Sequence, residues 1–144
     1  MVKNMNNQEL LERYPFLQPR NYFDDEIVDT ESTWLDQMPN GWRKAFGEQM
    51  VEEISNILKK VDYERDYRIV QIKEKWGGLR WYDNGAPAEI YDELHDCINK
   101  YEEMSYTICI ECGVPADGQT RGWINPLCNA CADKRGTKLI PFKE

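Results

Sequence analysis

The sequence has a single histidine, and it lacks the short motifs of the common enzyme classes. Its 144 residues contain no G-x-S-x-G, no H-E-x-x-H and no P-loop pattern. Because histidine is the side chain that most often acts as general acid or base, one copy leaves little equipment for proton transfer. Carboxylates are plentiful, but nothing marks a particular pair as catalytic. We therefore expect a protein that is not an enzyme.

Long apolar runs are also missing. None approaches the ~18 residues that a membrane-spanning helix needs, and no targeting segment is recognisable. The hydrophobic fraction of 41% and the aromatic fraction of 12% still suffice for a folded core. We therefore expect a folded cytoplasmic protein with no membrane partner.

Positive charge is scarce relative to negative charge. The chain has 18 lysines and arginines against 26 aspartates and glutamates, which gives a net charge of −8. Non-specific binding to nucleic acid depends on neutralising phosphates, so an acidic chain is poorly suited to it. A nucleic-acid partner is therefore the least favoured of the partners considered below.

Four of the five cysteines form two C-x-x-C pairs near the C-terminus: Cys109, Cys112, Cys128 and Cys131. Two such pairs at this separation are a zinc-site signature. Four thiolates around Zn²⁺ leave no position for water, so the predicted zinc is structural. Two disulfides are the alternative interpretation, which a reducing cytosol disfavours. We predict a four-cysteine zinc-ribbon or treble-clef-like module at 107–144, after an α+β body with an N-terminal arm at 1–106.

Two amphipathic helices and one β-hairpin are predicted in the body. Apolar residues recur at spacings of three and four over residues 40–60, where Asn40 is the predicted N-cap. A second helix is predicted at about 87–105, with Pro87 in its first turn. Residues 67–83 indicate a hairpin that turns at Gly77-Gly78. The predicted fold is α+β, with two main helices packed on this small antiparallel sheet.

Positive charge is concentrated in the hairpin, where cations and aromatic residues alternate. If Leu79 is in the core, strand alternation places Lys73 and Arg80 on the exposed face. Such a face suits a ligand that combines a planar ring with phosphate, such as a nucleotide. The alternative is an ordinary half-exposed sheet with solubilising lysines. The candidate ligand-binding residues are Arg43, Lys73, Lys75, Trp76, Arg80, Trp81 and Tyr82.

Three motifs together resemble a family of small phage and prophage proteins. They are residues 39–47 (PNGWRKAFG), residues 71–82 (QIKEKWGGLRWY), and the paired C-x-x-C with Gly122-Trp123 between. The resemblance covers most of residues 8–135 and implies a viral or prophage origin. For a phage-encoded chain, the expected location is the cytoplasm of the host cell. No catalytic residues can be carried over from the resemblance.

The favoured hypothesis is a non-enzymatic phage binding protein that counters host defence by sequestering a nucleotide-derived immune signal. The first alternative is an acidic protein–protein inhibitor or adaptor, in which residues 24–36 would cover a basic host surface. The second alternative is a zinc-dependent nucleic-acid-binding protein. The expected partner is therefore a small nucleotide-like ligand or a host protein, and a homo-oligomer is compatible with either.

Overall fold

The computed structural model describes residues 5–142, which form four α-helices, a two-stranded antiparallel sheet and a shorter strand pair. The helices are α1 (Asn7–Arg13), α2 (residues 40–59), α3 (Ala88–Ser105) and α4 (Asn129–Arg135). The strands are β1 (Ile69–Lys75), β2 (Gly78–Asp83), β3 (Gly118–Gln119) and β4 (Pro126–Leu127). Short 3₁₀ turns lie at Pro15–Leu17 and Trp34–Gln37. The α+β arrangement is as predicted, and no described helix is both long and apolar enough to cross a membrane.

Helix α2 begins without the predicted side-chain cap. It consists of Asn40–Trp42, a π-helical turn at Arg43–Gly47, and Glu48–Lys59. Pro39 occupies the N-cap position and makes no side-chain capping bond, so the prediction of an Asn40 cap is wrong. A tertiary contact satisfies the helix start instead, because the amide of its second residue bonds to the C-terminal segment. The predicted apolar face is buried: Trp42, Phe46, Met50, Ile54, Ile57 and Leu58.

The hairpin turns one residue earlier than the sequence predicts. Lys75 pairs with Gly78, so the turn residues are Trp76 and Gly77. Both have positive φ angles, 57° and 83°, as a type I′ turn requires. Gly78 lies in β2, and its missing side chain has another cause: a Cβ there would lie 2.3 Å from Cζ of Tyr106. Gly77 is therefore required by the backbone conformation of the turn, and Gly78 by the lack of space beside Tyr106.

A β-bulge at Val70 changes which residues of β1 face the core. Strict alternation predicts that Val70 and Ile72 share a face. Because the register shifts at this point, Ile69 and Ile72 are buried and Val70 is only half-buried. From β2, Leu79 and Trp81 pack in the same core.

Helix α3 closes the outer edge of β2. The amide of Leu79 donates to Ser105 Oγ at 2.8 Å, and the amide of Trp81 donates to a Glu102 carboxylate oxygen at 2.9 Å. Burial raises the pKa of Glu102 against the opposing effect of that amide. Since an isolated two-stranded hairpin is marginally stable, α3 supplies both the apolar layer and the hydrogen-bond partners that it lacks.

The C-terminal segment packs against the start of α2. Trp42 Nε1 donates to the carbonyl of Ile108 at 3.0 Å, and the Gly41 amide donates to the carbonyl of Ile110 at 2.8 Å. A Cβ on Gly41 would lie 2.2 Å from the Cys109 carbonyl oxygen. Ile110 packs against both hydrophobic clusters of the molecule. The division of the chain at residues 106 and 107 stays a prediction, and this contact is where the two clusters meet.

We expect Gly41→Ala to lower the free energy of unfolding by about 1–3 kcal/mol, because the added methyl group overpacks a backbone contact that has no room to relax. Gly47→Ala is the matched control in the same helix. Its added Cβ would meet side-chain atoms at 3.3 and 3.4 Å, which can move. Chemical denaturation of both variants is the measurement, and equal losses of stability would contradict the steric argument.

The buried hydroxyl of Tyr101 should make the protein less stable at alkaline pH. Its side chain is fully buried and its hydroxyl donates to a carboxylate oxygen of Glu53. Burial, followed by the hydrogen bond and charge of Glu53, raises the pKa of Tyr101 above the ordinary value of 10.0. The stabilisation is therefore complete below the pKa of the unfolded state and is lost as pH rises towards the folded-state pKa.

Accordingly, the stability advantage of the wild type over Tyr101→Phe should shrink as pH rises from about 8 to about 11. Urea unfolding across this range measures the difference. A difference that stays constant with pH would show that the Tyr101 proton does not contribute.

Candidate functional site

The four paired cysteines converge on one point. Their sulfur atoms all lie within 4.8 Å of one another, and the Sγ atoms of Cys112 and Cys128 are 3.6 Å apart. Cys112 is half-buried, the other three are buried, and all five cysteines of the chain are free thiols. Such a cluster could hold a metal ion.

Local backbone structure brings each pair to this point. In the first pair, the Gly113 amide donates to the Cys109 carbonyl at 3.0 Å, and Gly113 has a φ of 86° that closes the turn. In the second pair, Cys128 is the N-cap of α4 and Cys131 lies in its first turn. Pairing of β3 with β4 returns the chain to the first pair, and α4 ends at Gly136, which has a φ of 69°.

The closeness of the four cysteines affects the pKa values of their thiols. Burial raises the pKa of the Cys109 thiol, but hydrogen bonds from backbone amides, first that of Cys128, outweigh burial and bring its pKa to about 7. Burial and the neighbouring cysteines raise the pKa of Cys131 to about 12. Thiolates this close repel one another, so a cation is needed to keep all four in the ionised form that binds metals.

The hairpin brings several predicted ligand residues together on one face. Lys73 lies directly opposite Arg80 in the strand register, and the Lys73 ammonium is 5.8 Å from the centroid of the Tyr82 ring. The Arg80 guanidinium lies 5.8 Å from the ring centroid of Tyr106. We call this surface the cation–aromatic face: Lys73, Lys75, Arg80, Tyr82 and Tyr106. Tyr106 is not among the residues predicted from the sequence. This residue directly follows α3, and strand alternation predicts nothing about its position relative to the hairpin.

Trp81 points to the opposite side of the hairpin. It is 5% exposed, and its indole Nε1 donates to the hydroxyl of Tyr67 at 2.9 Å. That hydroxyl in turn donates to Asp83 at 2.6 Å. The ring of Trp81 is therefore part of the core and is not available to stack on a ligand, so it does not belong to the candidate surface.

Arg43 belongs to different surroundings from the hairpin residues. Its guanidinium forms an ion pair with Asp36 at 2.6 Å and lies 3.3 Å from the Asn7 side-chain oxygen. It lines a cavity of about 530 Å³ together with Arg13 and Tyr14, and no other predicted ligand residue lines that cavity. The structure thus connects Arg43 to α1 and a 3₁₀ turn rather than to the hairpin.

Trp76 lies beside the C-terminal segment, in a groove of about 270 Å³. The groove is lined by Glu74, Lys75, Trp76, Gly122, Trp123 and Ile124. Trp76 is 67% exposed and Trp123 is 80% exposed. Sequence reasoning did not place these two tryptophans together, because nothing local predicts a contact between the hairpin turn and a loop more than forty residues later. The turn-rich composition around Trp123 is the one signal of its exposure.

No family model matches this chain, and comparisons with curated proteins and with solved structures find no match. The resemblance to phage and prophage proteins therefore stays a prediction.

We expect the wild-type chain to bind one metal ion and Cys112→Ser to lose it, with a lower midpoint of thermal unfolding, since a structural metal contributes its binding free energy to folding. Cys97→Ser is the matched control, because Cys97 is buried in α3 outside the cluster. Native mass spectrometry counts the metal in each variant. Full metal occupancy in Cys112→Ser, or a loss shared by both variants, would contradict the assignment.

Proposed function

We propose that this protein is a zinc-stabilised, non-enzymatic binding protein for a small nucleotide-type ligand, which it holds on the cation–aromatic face. The observation that carries the proposal is the charge on that face. The six ion pairs in the described part of the chain include none of its cations. Lys73 and Arg80 are directly opposite each other, and like charges in this position destabilise a sheet, so a bound anion would relieve their repulsion.

Zinc is the ion that best suits the cysteine cluster. Tetrahedral Zn²⁺ with thiolates at ~2.3 Å places the sulfur atoms about 3.8 Å apart. The sulfur separations here, 3.6 Å for one pair and within 4.8 Å for all, suit that geometry. Four cysteines occupy all four positions, so the proposed role is structural. A knuckle, a short strand pair and a helix that begins at the second cysteine pair support a treble-clef-like module.

The aromatic members of the face supply the second half of nucleotide recognition. Tyr82 and Tyr106 are 40% and 37% exposed, and each already lies near a cation of the same face. Aromatic rings stack on nucleobases, whereas lysine and arginine bind phosphate. A ligand with both groups would therefore use the whole face.

The proposed context follows from the resemblance to phage and prophage proteins. A binding protein without turnover, made in the cytoplasm of an infected cell, would lower the free concentration of a nucleotide-derived immune signal. This version of the proposal requires that the ligand is recovered chemically intact.

A second candidate function is a protein–protein inhibitor, and one loop favours it. Residues 21–31 are all exposed, and they include Phe23 at 93% and Val28 at 68%. Arg68 anchors this loop through Asp25, at 2.7 and 3.1 Å. Exposed apolar side chains among carboxylates suit a partner surface that is basic. Recovery of a stable complex with a host protein would support this candidate.

The nucleotide proposal is tested by thermal shift with cyclic di-AMP, cyclic di-GMP, ADP-ribose and ATP. We expect at least one to raise the melting temperature of the wild type, and Arg80→Ala to reduce that shift strongly. Arg65→Ala, which removes an exposed arginine outside the face, should leave the shift unchanged. Absence of any shift in the wild type would contradict the proposed function.

A further inference from the structure

We propose that the groove between Trp76 and Trp123 is the main stacking site for the nucleobase of a ligand whose phosphates lie on the cations of the cation–aromatic face. The inference rests on the proposed function and adds to it a base subsite built from two distant parts of the chain.

Trp76 is exposed although its backbone conformation is unfavourable. Trp76 has a φ of 57°, a left-handed conformation that is unfavourable for a bulky side chain and that hairpin turns usually assign to Asn, Asp or Gly. It is nevertheless 67% exposed, so core packing does not compensate for the strain. Strained backbone that persists without a packing benefit is concentrated at ligand-binding sites.

The loop that carries Trp123 is held in place. The Thr120 amide donates to the Asn125 carbonyl at 3.0 Å, and the Asn125 amide donates to Thr120 Oγ1 at 2.9 Å. Thr120 Oγ1 also donates to the carbonyl of Trp123 at 2.5 Å. The side chain of Trp123 is therefore 80% exposed although hydrogen bonds hold the backbone of its loop in place.

The hairpin turn and this loop touch each other. A Cβ on Gly77 would lie 2.8 Å from Cγ2 of Ile124, so the turn and the loop are closely packed at this point. The volume of about 270 Å³ lies just below the ~300 Å³ at which pockets for whole small ligands begin. The groove is therefore sized for one ring system of a larger ligand.

Charge around the groove favours an anionic ligand. Lys75 lines it and belongs to the same hairpin face as Lys73 and Arg80. The one acidic lining residue, Glu74, uses a carboxylate oxygen to accept the Gly77 amide at 2.9 Å. A nucleotide matches this distribution, since its base is planar and its phosphates are anionic.

The test is isothermal titration of the four panel nucleotides into the wild type, Trp123→Ala and Phe23→Ala. Stacking on a single aromatic side chain contributes about 5- to 150-fold in affinity, and we expect Trp123→Ala to weaken nucleotide binding by this factor. Phe23→Ala is the matched control, because it removes an aromatic ring that is even more exposed than Trp123 from a loop outside the groove. It should bind as the wild type does.

Fragments distinguish the base subsite from the phosphate face. Trp123→Ala should weaken adenosine binding and leave ribose 5-phosphate binding unchanged, whereas Arg80→Ala should weaken ribose 5-phosphate binding. If the wild type binds a nucleotide and Trp123→Ala binds it equally well, the base subsite is wrong and the proposed function stands. If the wild type binds no panel nucleotide, both are overturned.

Discussion

The structure depends on the close approach between the start of α2 and the first cysteine pair. Gly41 provides the space for this approach, and two hydrogen bonds from the helix start, one from its backbone and one from Trp42, fix the segment at Ile108–Ile110. The contact replaces a side-chain cap for α2 and gives the small C-terminal cluster a larger core to pack on. A segment of fewer than forty residues buries too little apolar surface to fold securely alone, so both a metal and this contact are reasonable requirements.

The hairpin illustrates how one face is kept for the core and the other for solvent. Helix α3 bonds to two outward amides of β2, and the core face carries Ile72, Leu79 and Trp81. With stability supplied from that side, the other face is free to carry two cations directly opposite each other. In a sheet stabilised only by its own cross-strand pairs, this repulsion would be a larger share of the stability.

Much of this arrangement could be predicted from local sequence patterns. The spacing of the cysteines predicts their convergence, and the apolar periodicity of residues 40–60 and 87–105 predicts both long helices. The errors lie where a tertiary contact overrides a local rule. Asn40 is a good N-cap residue, but a backbone contact to Ile110 takes its place. Gly77-Gly78 looks like a turn, but Gly78 is a glycine because Tyr106 covers it.

The candidate ligand surface could be predicted only in part, for the same reason. Lys73, Arg80 and Tyr82 follow from strand alternation, because their common face is a local property of two paired strands. Whether Trp81 is buried depends on which face of the hairpin packs in the core, and alternation alone does not decide this. Whether Trp76 lies near Trp123 depends on how the C-terminal segment packs against the hairpin. Contacts between segments so far apart carry no periodic signal.

The location of the Trp76–Trp123 groove has a thermodynamic consequence. One wall comes from the hairpin and the other from the loop between the two cysteine pairs, so the groove exists only while these parts are in contact. A ligand that touches both walls binds the docked state and not the separated one, and it therefore stabilises the contact by mass action. By reciprocity, any change that strengthens this contact would also strengthen the proposed binding in the groove. If a metal orders the cysteine pairs and the loop between them, metal and ligand should each strengthen the binding of the other through this contact.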